Sequence, residues 1–285
     1  MQKSTCASRR VALLLMMVGC GGVNELAGPE ITISESTSTT PAGSEHIQVL
    51  VPAGPFKMGS QEGSTNERPV HQVTLDAFYI DRFEVTNALY FAYVEAMGEG
   101  LPQFGRESAY NQAAQPVVGV SWSGAEAYCI WAGMQLPTEA QWEKAAGGLD
   151  GRKYPWGNEN PTVLFGNFGR GVGPAPVGSY PAGASPYGAE DMAGNVWEWT
   201  VDQYEHIFYD RSPEVNPVNL GESGLETGPD RTLRGGSWYS SADEVRVAAR
   251  SSIHLLELRA EQDPEFDNSL MFARIGFRCV KNLSN

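Results

Sequence analysis

Hydrophobic and aromatic residues become frequent from Ile47 onward and stay frequent as far as Cys279. No second segment rich in Pro and Ser interrupts this stretch, so residues 47–285 are predicted to form one domain. Within it, residues 70–86 place β-branched and aromatic residues in partial alternation with polar ones, a pattern typical of β-strands. The domain is therefore predicted to begin with extended structure.

A helix is predicted after these strands from a capping box formed by Ser123 and Glu126. In a capping box, a hydroxyl and the side chain three residues later satisfy backbone N–H groups that have no partner inside the helix. The apolar positions that follow are spaced as one face of a helix, and they are Ala125, Tyr128, Cys129 and Ala132.

A second capping box, Thr138 with Gln141, predicts a helix that continues through Trp142 and ends at Gly147 and Gly148. Beyond this helix the Gly, Pro and Asn content is high and regular periodicity is lost over long stretches. Long irregular loops inside a compact domain are uncommon and need metal ions or buried aromatic anchors to organise them. The second half of the chain is therefore predicted to be rich in loops.

The first 20 residues have the pattern of a bacterial lipoprotein signal peptide. Three basic residues precede an apolar run, 11–19, which is too short to span a bilayer as a helix. Residues 17–20 resemble a lipobox, in which the final cysteine, here Cys20, is lipidated and becomes the first residue of the mature protein. The alternative is an ordinary secretory signal, cut near Gly21 or Gly22, in which Cys20 has no role.

Residues 20–46 are predicted to form a lipidated, flexible tether. The segment after Cys20 is rich in Gly, Pro, Ser and Thr and contains no Lys, Arg or aromatic residue. After removal of the predicted signal peptide, residues 1–19, the lipid would be the only link to a membrane. The predicted location is the bacterial cell envelope. Because Gly rather than Asp follows Cys20, the predicted destination in a Gram-negative cell is the outer membrane.

The net charge argues against nucleic-acid binding. The chain has 34 acidic and 20 basic residues, a formal charge of -14, which becomes -17 once residues 1–19 are removed. A field of this sign repels DNA and RNA. With 41% hydrophobic residues and only 4 Cys, the fold is predicted to depend mainly on its core rather than on a disulfide scaffold.

Ten short segments, in this order, resemble motifs of the formylglycine-generating enzyme family, also called the sulfatase-modifying factor family. They are 56–60 (FKMGS), 67–71 (ERPVH), 80–87 (IDRFEVTN), 118–122 (VGVSW), 136–140 (LPTEA), 154–157 (YPWG), 191–199 (DMAGNVWEW), 234–238 (RGGSW), 248–250 (AAR) and 276–278 (GFR). Each segment alone is unspecific, but together they cover the predicted domain. The resemblance implies an α+β fold that is rich in loops and related to C-type lectins.

The resemblance also implies a disulfide between Cys129 and Cys279, which match the positions of a cysteine pair in the family. An exported protein would retain such a bond. In the chain-entropy model, closing a loop of this length contributes up to roughly 4 to 5 kcal/mol. The alternative is two buried free thiols.

The oxidase chemistry of the family is predicted to be missing. The oxidase binds Cu(I) through two cysteines just after the RGGS motif, because Cu(I) prefers soft thiolate ligands. Here residues 238–247 contain no cysteine, and Ser240 stands at the approximate position of the first thiol. Copper is therefore not expected as a cofactor, although the family name would imply a formylglycine-generating oxidase. The four histidines also lack the HxxxHxE spacing of the iron enzymes that share this fold.

Calcium is the cofactor that the resemblance implies, in a structural role. The family's ligand set maps to the side chains of Asp191 and Glu198 and the backbone carbonyls of Gly194 and Val196, and hard oxygen ligands in a tight loop suit this ion. The alternative is a calcium-free loop held in the core by Trp197 and Trp199. A second family site maps to Asn167 and Phe168, where the loop is short and lacks an acidic residue.

These features together predict a binding module rather than an oxidase, with an unknown peptide or protein of the envelope as its ligand. The resemblance places the ligand face where the oxidase holds its substrate peptide, and this face consists of Ser237, Trp238, Tyr239, Ser240, Ser241 and Arg250. The segment 252–275, longer than usual for the family, is expected to reshape it. The alternative function is an enzyme of altered chemistry on the same fold.

Overall fold

A computed structural model of the chain describes residues 33–169, 171–221, 230–262 and 267–283. The predicted signal peptide and Cys20 lie outside these residues. Its helices are α1 (Asn87–Met97), α2 (Trp122–Trp131), α3 (Glu139–Gly147) and α4 (Ile253–Gln262). Its strands are β1 (Glu35–Thr39), β2 (Glu45–Val51), β3 (Gly54–Met58), β4 (His71–Leu75), β5 (Phe78–Asp81), β6 (Trp197–Gln203), β7 (Arg231–Arg234), β8 (Arg250–Ser251), β9 (Ile275–Gly276) and β10 (Val280–Asn282).

The strands form three sheets. The first has the order β1-β2-β5-β10, the second is the β3-β4 hairpin, and the third has the order β8-β7-β6-β9. Neighbouring strands are antiparallel except β6 and β9, which run parallel with Trp197 beside Ile275. Residues 70–86 form β4, β5 and the approach to α1, which confirms the prediction of extended structure there.

The start of the domain differs from the prediction. Residues 35–46, assigned to the flexible tether, pair β1 with β2 from Glu35 opposite Val49 to Thr39 opposite Glu45. His46 is buried, with Nδ1 3.0 Å from Asp81 Oδ2 and Nε2 2.8 Å from the Tyr128 hydroxyl. The boundary at Ile47 is therefore wrong, because the preceding hairpin completes the first sheet.

The two predicted helices are present, but only one of the two predicted N-terminal caps is correct. Thr138 and Gln141 form the expected capping box at the start of α3, with Thr138 Oγ1 accepting from the Gln141 backbone N–H at 3.1 Å. Helix α2 begins one residue before Ser123, and its N-cap is Ser121, which accepts from the Gly124 N–H. The Ser123 capping box is therefore wrong. Helix α1, which was not predicted, is capped by the Thr86 hydroxyl and ends at Gly98 with φ 70°.

Two large hydrophobic clusters fill the interior. One lies between α1, α2 and the β6-containing sheet and includes Tyr90, Tyr128 and Phe277. The other joins the first sheet and the β3-β4 hairpin to α3, with Trp142 completely buried in it. No helix among the described residues is both long enough and apolar enough to cross a membrane.

The disulfide between Cys129 and Cys279 is present, as predicted. Both residues are fully buried, and their Cα atoms are 5.7 Å apart. The bond joins α2 to the residue before β10 across a sequence separation of 150 residues. It therefore ties the helical layer to the sheet that carries the C-terminal strand.

Candidate functional site

Several of the motifs that carry the family resemblance meet as buried glutamate–arginine pairs. Each pair brings together residues that are about 80 or more positions apart in the chain. They are Glu67–Arg246, Glu143–Arg234, Glu139–Arg250 and Glu198–Arg278. Buried charges need such partners, because an isolated ion in the interior is strongly unfavourable. These pairs, to which Glu143 and Arg246 contribute from outside the quoted motifs, therefore hold the loop-rich fold together.

Arg250 belongs to this framework and not to an open ligand face. Its Nε and one terminal nitrogen donate to the two carboxylate oxygens of Glu139 at 2.6 and 2.9 Å. The guanidinium also lies 4.2 Å from the centre of the Tyr209 ring. Burial opposes ionisation of Glu139, but the charges of Arg250 and Arg234 outweigh it and hold the pKa of this carboxyl below its ordinary value. Assigning Arg250 to ligand contact is therefore wrong.

The remaining predicted ligand residues are mostly covered as well. Trp238 is 3% exposed and Ser240 is 1% exposed. The backbone N–H groups of Gly169 and Gly171 donate to the carbonyls of Ser240 and Trp238 at 2.8 and 2.7 Å. The shortened loop around these glycines thus lies directly on the segment that was predicted to face a ligand.

Ser240 itself has a local structural role. Its hydroxyl oxygen accepts from the Ser237 backbone N–H at 3.0 Å, and both serines are buried. Tyr239 is 9% exposed, and the Arg274 guanidinium lies 4.2 Å from the centre of its ring. Ser241 is the exposed member of the set. The predicted face is therefore closed, because two neighbouring segments pack onto it.

The predicted calcium loop is folded tightly, but Glu198 does not fit the role of a ligand. The Arg278 guanidinium donates to both Glu198 oxygens at 2.7 and 2.8 Å, and Trp142 Nε1 donates to Oε2 at 2.9 Å. Asp191 Oδ2 accepts from the Gly178 N–H at 2.7 Å. Without Glu198 the predicted donors are one carboxylate and two carbonyls, so calcium, which takes six to eight oxygens, would need water molecules as further ligands.

The charges near this loop nevertheless favour a cation. Burial raises the pKa of Asp191 to about 6, partly offset by the Gly178 N–H and the charge of Arg278. Burial also raises the pKa of Glu84, and the nearby charges of Asp191 and Glu198 raise it further. One guanidinium therefore faces three buried carboxylates. Calcium at Asp191, Gly194 and Val196 stays a prediction.

The residues of the second family calcium site make internal contacts, and calcium there stays a prediction. The Asn167 side-chain amide donates to the Gly173 carbonyl and to Asn195 Oδ1 at 3.0 and 3.2 Å. Phe168 packs against a small hydrophobic cluster that contains Tyr154. Across the described ranges, no three His, Cys, Asp or Glu side chains form a group that could hold a metal ion.

The described residues also form two open clefts that the sequence did not predict. The α3 cleft, about 560 Å³, lies between β3, the C-terminal end of α3 and residues 246–248. The α2 cleft, about 550 Å³, lies between α2, residues 134–141 and the C-terminal end of β10. One sequence signal for the α2 cleft was available. Ile130 is a large apolar residue outside the predicted buried face of its helix, and it is 63% exposed.

Comparison with known proteins places the chain in a family. Residues 34–283 match the sulfatase-modifying factor enzyme 1-like domain. The chain is 34% identical to the formylglycine-generating enzyme of Streptomyces coelicolor, over 82% of this chain and 89% of that protein. It is 36% identical to the hercynine oxygenase of Mycolicibacterium smegmatis, over 75% of this chain and 60% of that protein.

Other relatives are much longer than the matched region. The chain is 36% identical to the serine/threonine-protein kinase pkn1 of Chlamydia caviae, with 82% of this chain matched but only 38% of the kinase. Among solved structures, PvdO from Pseudomonas aeruginosa superposes with a TM-score of 0.67 at 23% identity, covering 87% of this chain and 98% of that one. The likeness confirms the loop-rich α+β fold related to C-type lectins. The chain belongs to the sulfatase-modifying factor enzyme 1-like family.

Proposed function

We propose that this family member is a binding module for a peptide or protein of the cell envelope, and that it does not oxidise cysteine to formylglycine. The proposal rests on one observation, the absence of cysteine from residues 238–247, where the oxidase carries its copper-binding thiols. Hydroxyl groups do not replace thiolates as Cu(I) ligands. Cys129 and Cys279 are already joined to each other.

The proposed location is the bacterial cell envelope, at the outer membrane in a Gram-negative cell, with Cys20 carrying the lipid. The short apolar run before Cys20 supports this part of the proposal. Metabolic labelling with a radioactive fatty acid tests it, because wild-type protein should incorporate label and Cys20→Ser should not. Equal labelling of the two proteins would contradict lipidation at Cys20.

An enzyme of altered chemistry is the second candidate, supported by the relatives named hercynine oxygenase and protein kinase. Those proteins extend well beyond the matched region. The match covers 60% of the length of the hercynine oxygenase and 38% of the length of the kinase. Their activities therefore are not carried over to this chain.

Copper affinity distinguishes the binding module from the oxidase. Full chain is titrated against a chromophoric Cu(I) chelator, with the Streptomyces coelicolor relative as the positive control. The binding module should leave the metal with the chelator. Stoichiometric transfer of one copper ion to wild-type protein would contradict the proposal.

Ligand binding itself is tested by photo-crosslinking in intact cells of the native host. A photoreactive amino acid is placed at position 130 in the α2 cleft or at Lys57 beside the α3 cleft, with Leu164, which is 70% exposed, as the control position. A discrete envelope protein should be cross-linked from one cleft and not from the control. The same products from all three positions would contradict a specific binding role.

A further inference from the structure

The α2 cleft has the wall composition of a site for an apolar side chain. Half of its fourteen lining residues are Leu, Ile, Val or Met, among them Leu136 from the segment before α3 and Val201 from β6. Ile130 and Leu283 at its border are 63% and 39% exposed. Ligand sites are typically concave and mostly apolar, with a few polar groups that set specificity. Burial of these two side chains by a partner would remove apolar surface from water, which favours association.

The charged groups of the α2 cleft are both acidic. They are Asp76 and Glu126, and no Lys, Arg or His lies among its lining residues. Asp76 is exposed, and its Oδ2 accepts from the Asn216 side-chain amide at 2.9 Å. Glu126 is half-buried on α2, one helical turn before Ile130. The apolar wall is therefore bordered by negative charge.

Arg231 is a basic residue whose charge interacts with that of Glu126, and its guanidinium is also engaged elsewhere. Its centre lies 3.7 Å from the centre of the Trp122 ring, and one terminal nitrogen donates to the Val201 carbonyl at 2.6 Å. The proximity of Glu126 favours the charged form of Arg231, against the larger effect of burial, which lowers its pKa. Arg231 is therefore held by Trp122 and Val201, and it is not among the residues that line the cleft.

The α3 cleft has no comparable excess of acidic residues that would favour a basic ligand. Within its lining, Arg246 is paired with Glu67, Arg152 with Asp150, and Glu143 with Arg234. Its charges are mixed in sign, since Lys57, Lys153 and Glu62 also line it, and those of Arg246, Arg152, Asp150 and Glu143 are paired inside the protein. The α2 cleft, by contrast, combines apolar walls with acids alone, in a chain whose overall charge is -14.

We propose that the α2 cleft binds a protein segment that carries a large aliphatic side chain next to a lysine or arginine. The aliphatic group would contact Ile130 and Leu283, the exposed apolar residues of the lining, and the cation would lie toward Glu126 and Asp76. Charge complementarity of this kind increases the association rate and discriminates against acidic partners. The inference deepens the proposed function by naming the chemistry of its ligand and rests on that function.

The test uses methyl-labelled full chain and three peptides of equal length, blocked at both ends. One alternates Leu with Lys, one alternates Leu with Glu, and one alternates Ser with Lys. The Leu–Lys peptide should shift the NMR signals of Ile130, Leu136 and Val201, and it should bind at least about fivefold more tightly than either of the others. Its affinity should fall as salt is added.

Variants with matched controls measure how much the apolar and the acidic residues each contribute to peptide binding. Ile130→Ala should weaken binding of the Leu–Lys peptide about tenfold, whereas Leu164→Ala, an exposed residue in another loop, should leave it unchanged. Glu126→Gln should weaken it about threefold, whereas Glu95→Gln, the same charge change on the exposed face of α1, should not. Thermal unfolding of each variant verifies that it is folded.

Three results would overturn the inference. Equal affinity for the Lys and Glu peptides would remove charge selection. Shifts confined to Val70 and Val247 would move the site to the α3 cleft and leave the proposed function intact. Binding of none of the peptides would reject this ligand chemistry, while the cross-linking experiment decides separately whether the chain is a binding module.

Discussion

Arg278 donates to both carboxylate oxygens of Glu198, with Nε 2.7 Å from Oε2 and Nη2 2.8 Å from Oε1. Neither side chain has any exposure to solvent. The pair links the GFR motif to the DMAGNVWEW motif across 80 positions of sequence. Arg278 Nη1 also donates to the carbonyls of Asp81 and Arg82 at 3.0 and 3.1 Å. A residue that sequence resemblance assigns to calcium is therefore part of the internal framework.

Removal of one partner of this pair should destabilise the protein strongly. Glu198→Ala would remove the bidentate partner of the buried Arg278 guanidinium, and breaking a buried ion pair typically costs about 3 to 5 kcal/mol. The free energy of unfolding is measured by urea denaturation monitored through tryptophan fluorescence. The exposed change Glu95→Ala serves as the control and should shift the free energy by less than about 0.5 kcal/mol. A comparably small effect of Glu198→Ala would show that the ion pair does not hold the fold.

Stability should fall as pH rises from about 4 to about 6 in the absence of divalent ions. Burial raises the pKa of Asp191 from 3.8 to about 6. In this window the folded state binds more protons than the unfolded state, so the free energy of unfolding decreases with pH. Asp191→Asn should flatten this part of the profile by up to roughly 3 kcal/mol. An unchanged profile in the variant would contradict the raised pKa.

Asp202 should extend the same dependence to higher pH. Burial, reinforced by the nearby charge of Glu139, raises its pKa to about 7. Its oxygens accept from the backbone N–H groups of Glu139 and Asn219, each at 2.7 Å. Because the folded-state pKa is raised, the stabilising protonated form is lost as pH passes through about 7. The Asp191→Asn protein should therefore keep the slope that Asp202 contributes between about pH 4 and pH 7.

Calcium bound beside Asp191 would reduce the same charge imbalance, and thermal unfolding tests whether it binds. If the ion binds beside Asp191, millimolar calcium should raise the unfolding temperature at pH 7.5, and magnesium should not reproduce the effect. Asp191→Asn should abolish the calcium response while it retains the fold. Calorimetry that detects no calcium uptake by the wild-type protein would reject the calcium prediction.

Reduction of the disulfide should lower stability. Cys129 and Cys279 close a loop of 150 residues, for which the chain-entropy model gives up to roughly 4 to 5 kcal/mol. Urea denaturation with and without a reductant measures the difference, and the Cys129→Ala/Cys279→Ala double variant should be insensitive to the reductant. Free thiols at both positions in non-reduced protein, found by mass spectrometry, would contradict the bond.

Trp238→Ala should act on folding rather than selectively on ligand binding. Trp238 is 3% exposed, and truncation of a buried tryptophan usually destabilises by about 3 to 5 kcal/mol. Ser241→Ala, at an exposed position of the same predicted face, should change stability by less than about 0.5 kcal/mol. Urea denaturation of both variants provides the comparison. A fully stable Trp238→Ala protein would reopen the predicted face as a ligand site.

Local signals in the sequence were informative where the two interacting residues lie within a few positions of each other. The Thr138–Gln141 capping box predicted the start of α3 correctly because a helix cap involves only neighbouring residues. Helix α1 carried comparable signals, Thr86 before its first turn and Gly98 after its last. The Cys129–Cys279 pair came from family resemblance, since the spacing of two cysteines alone does not show that they meet.

Long-range pairing is what the sequence did not reveal. Residues 35–39 are mostly Ser and Thr and have the composition of a linker, yet they form a strand because β2 offers a free edge. Glutamate is a common metal ligand, and only the fold shows that the Glu198 carboxylate is hydrogen-bonded to Arg278 instead. Exposure of Ile130 likewise depends on which surfaces the rest of the chain leaves open.

Incubation of the full chain with Cu(I), oxygen and a peptide that carries the CxPxR sulfatase motif tests the proposed function most directly. Mass spectrometry follows the peptide, and the Streptomyces coelicolor relative serves as the positive control. The proposed binding module should leave the mass of the cysteine peptide unchanged, while the control converts the thiol to an aldehyde. Conversion by this chain at a rate comparable to the control would contradict the assignment as a non-oxidase.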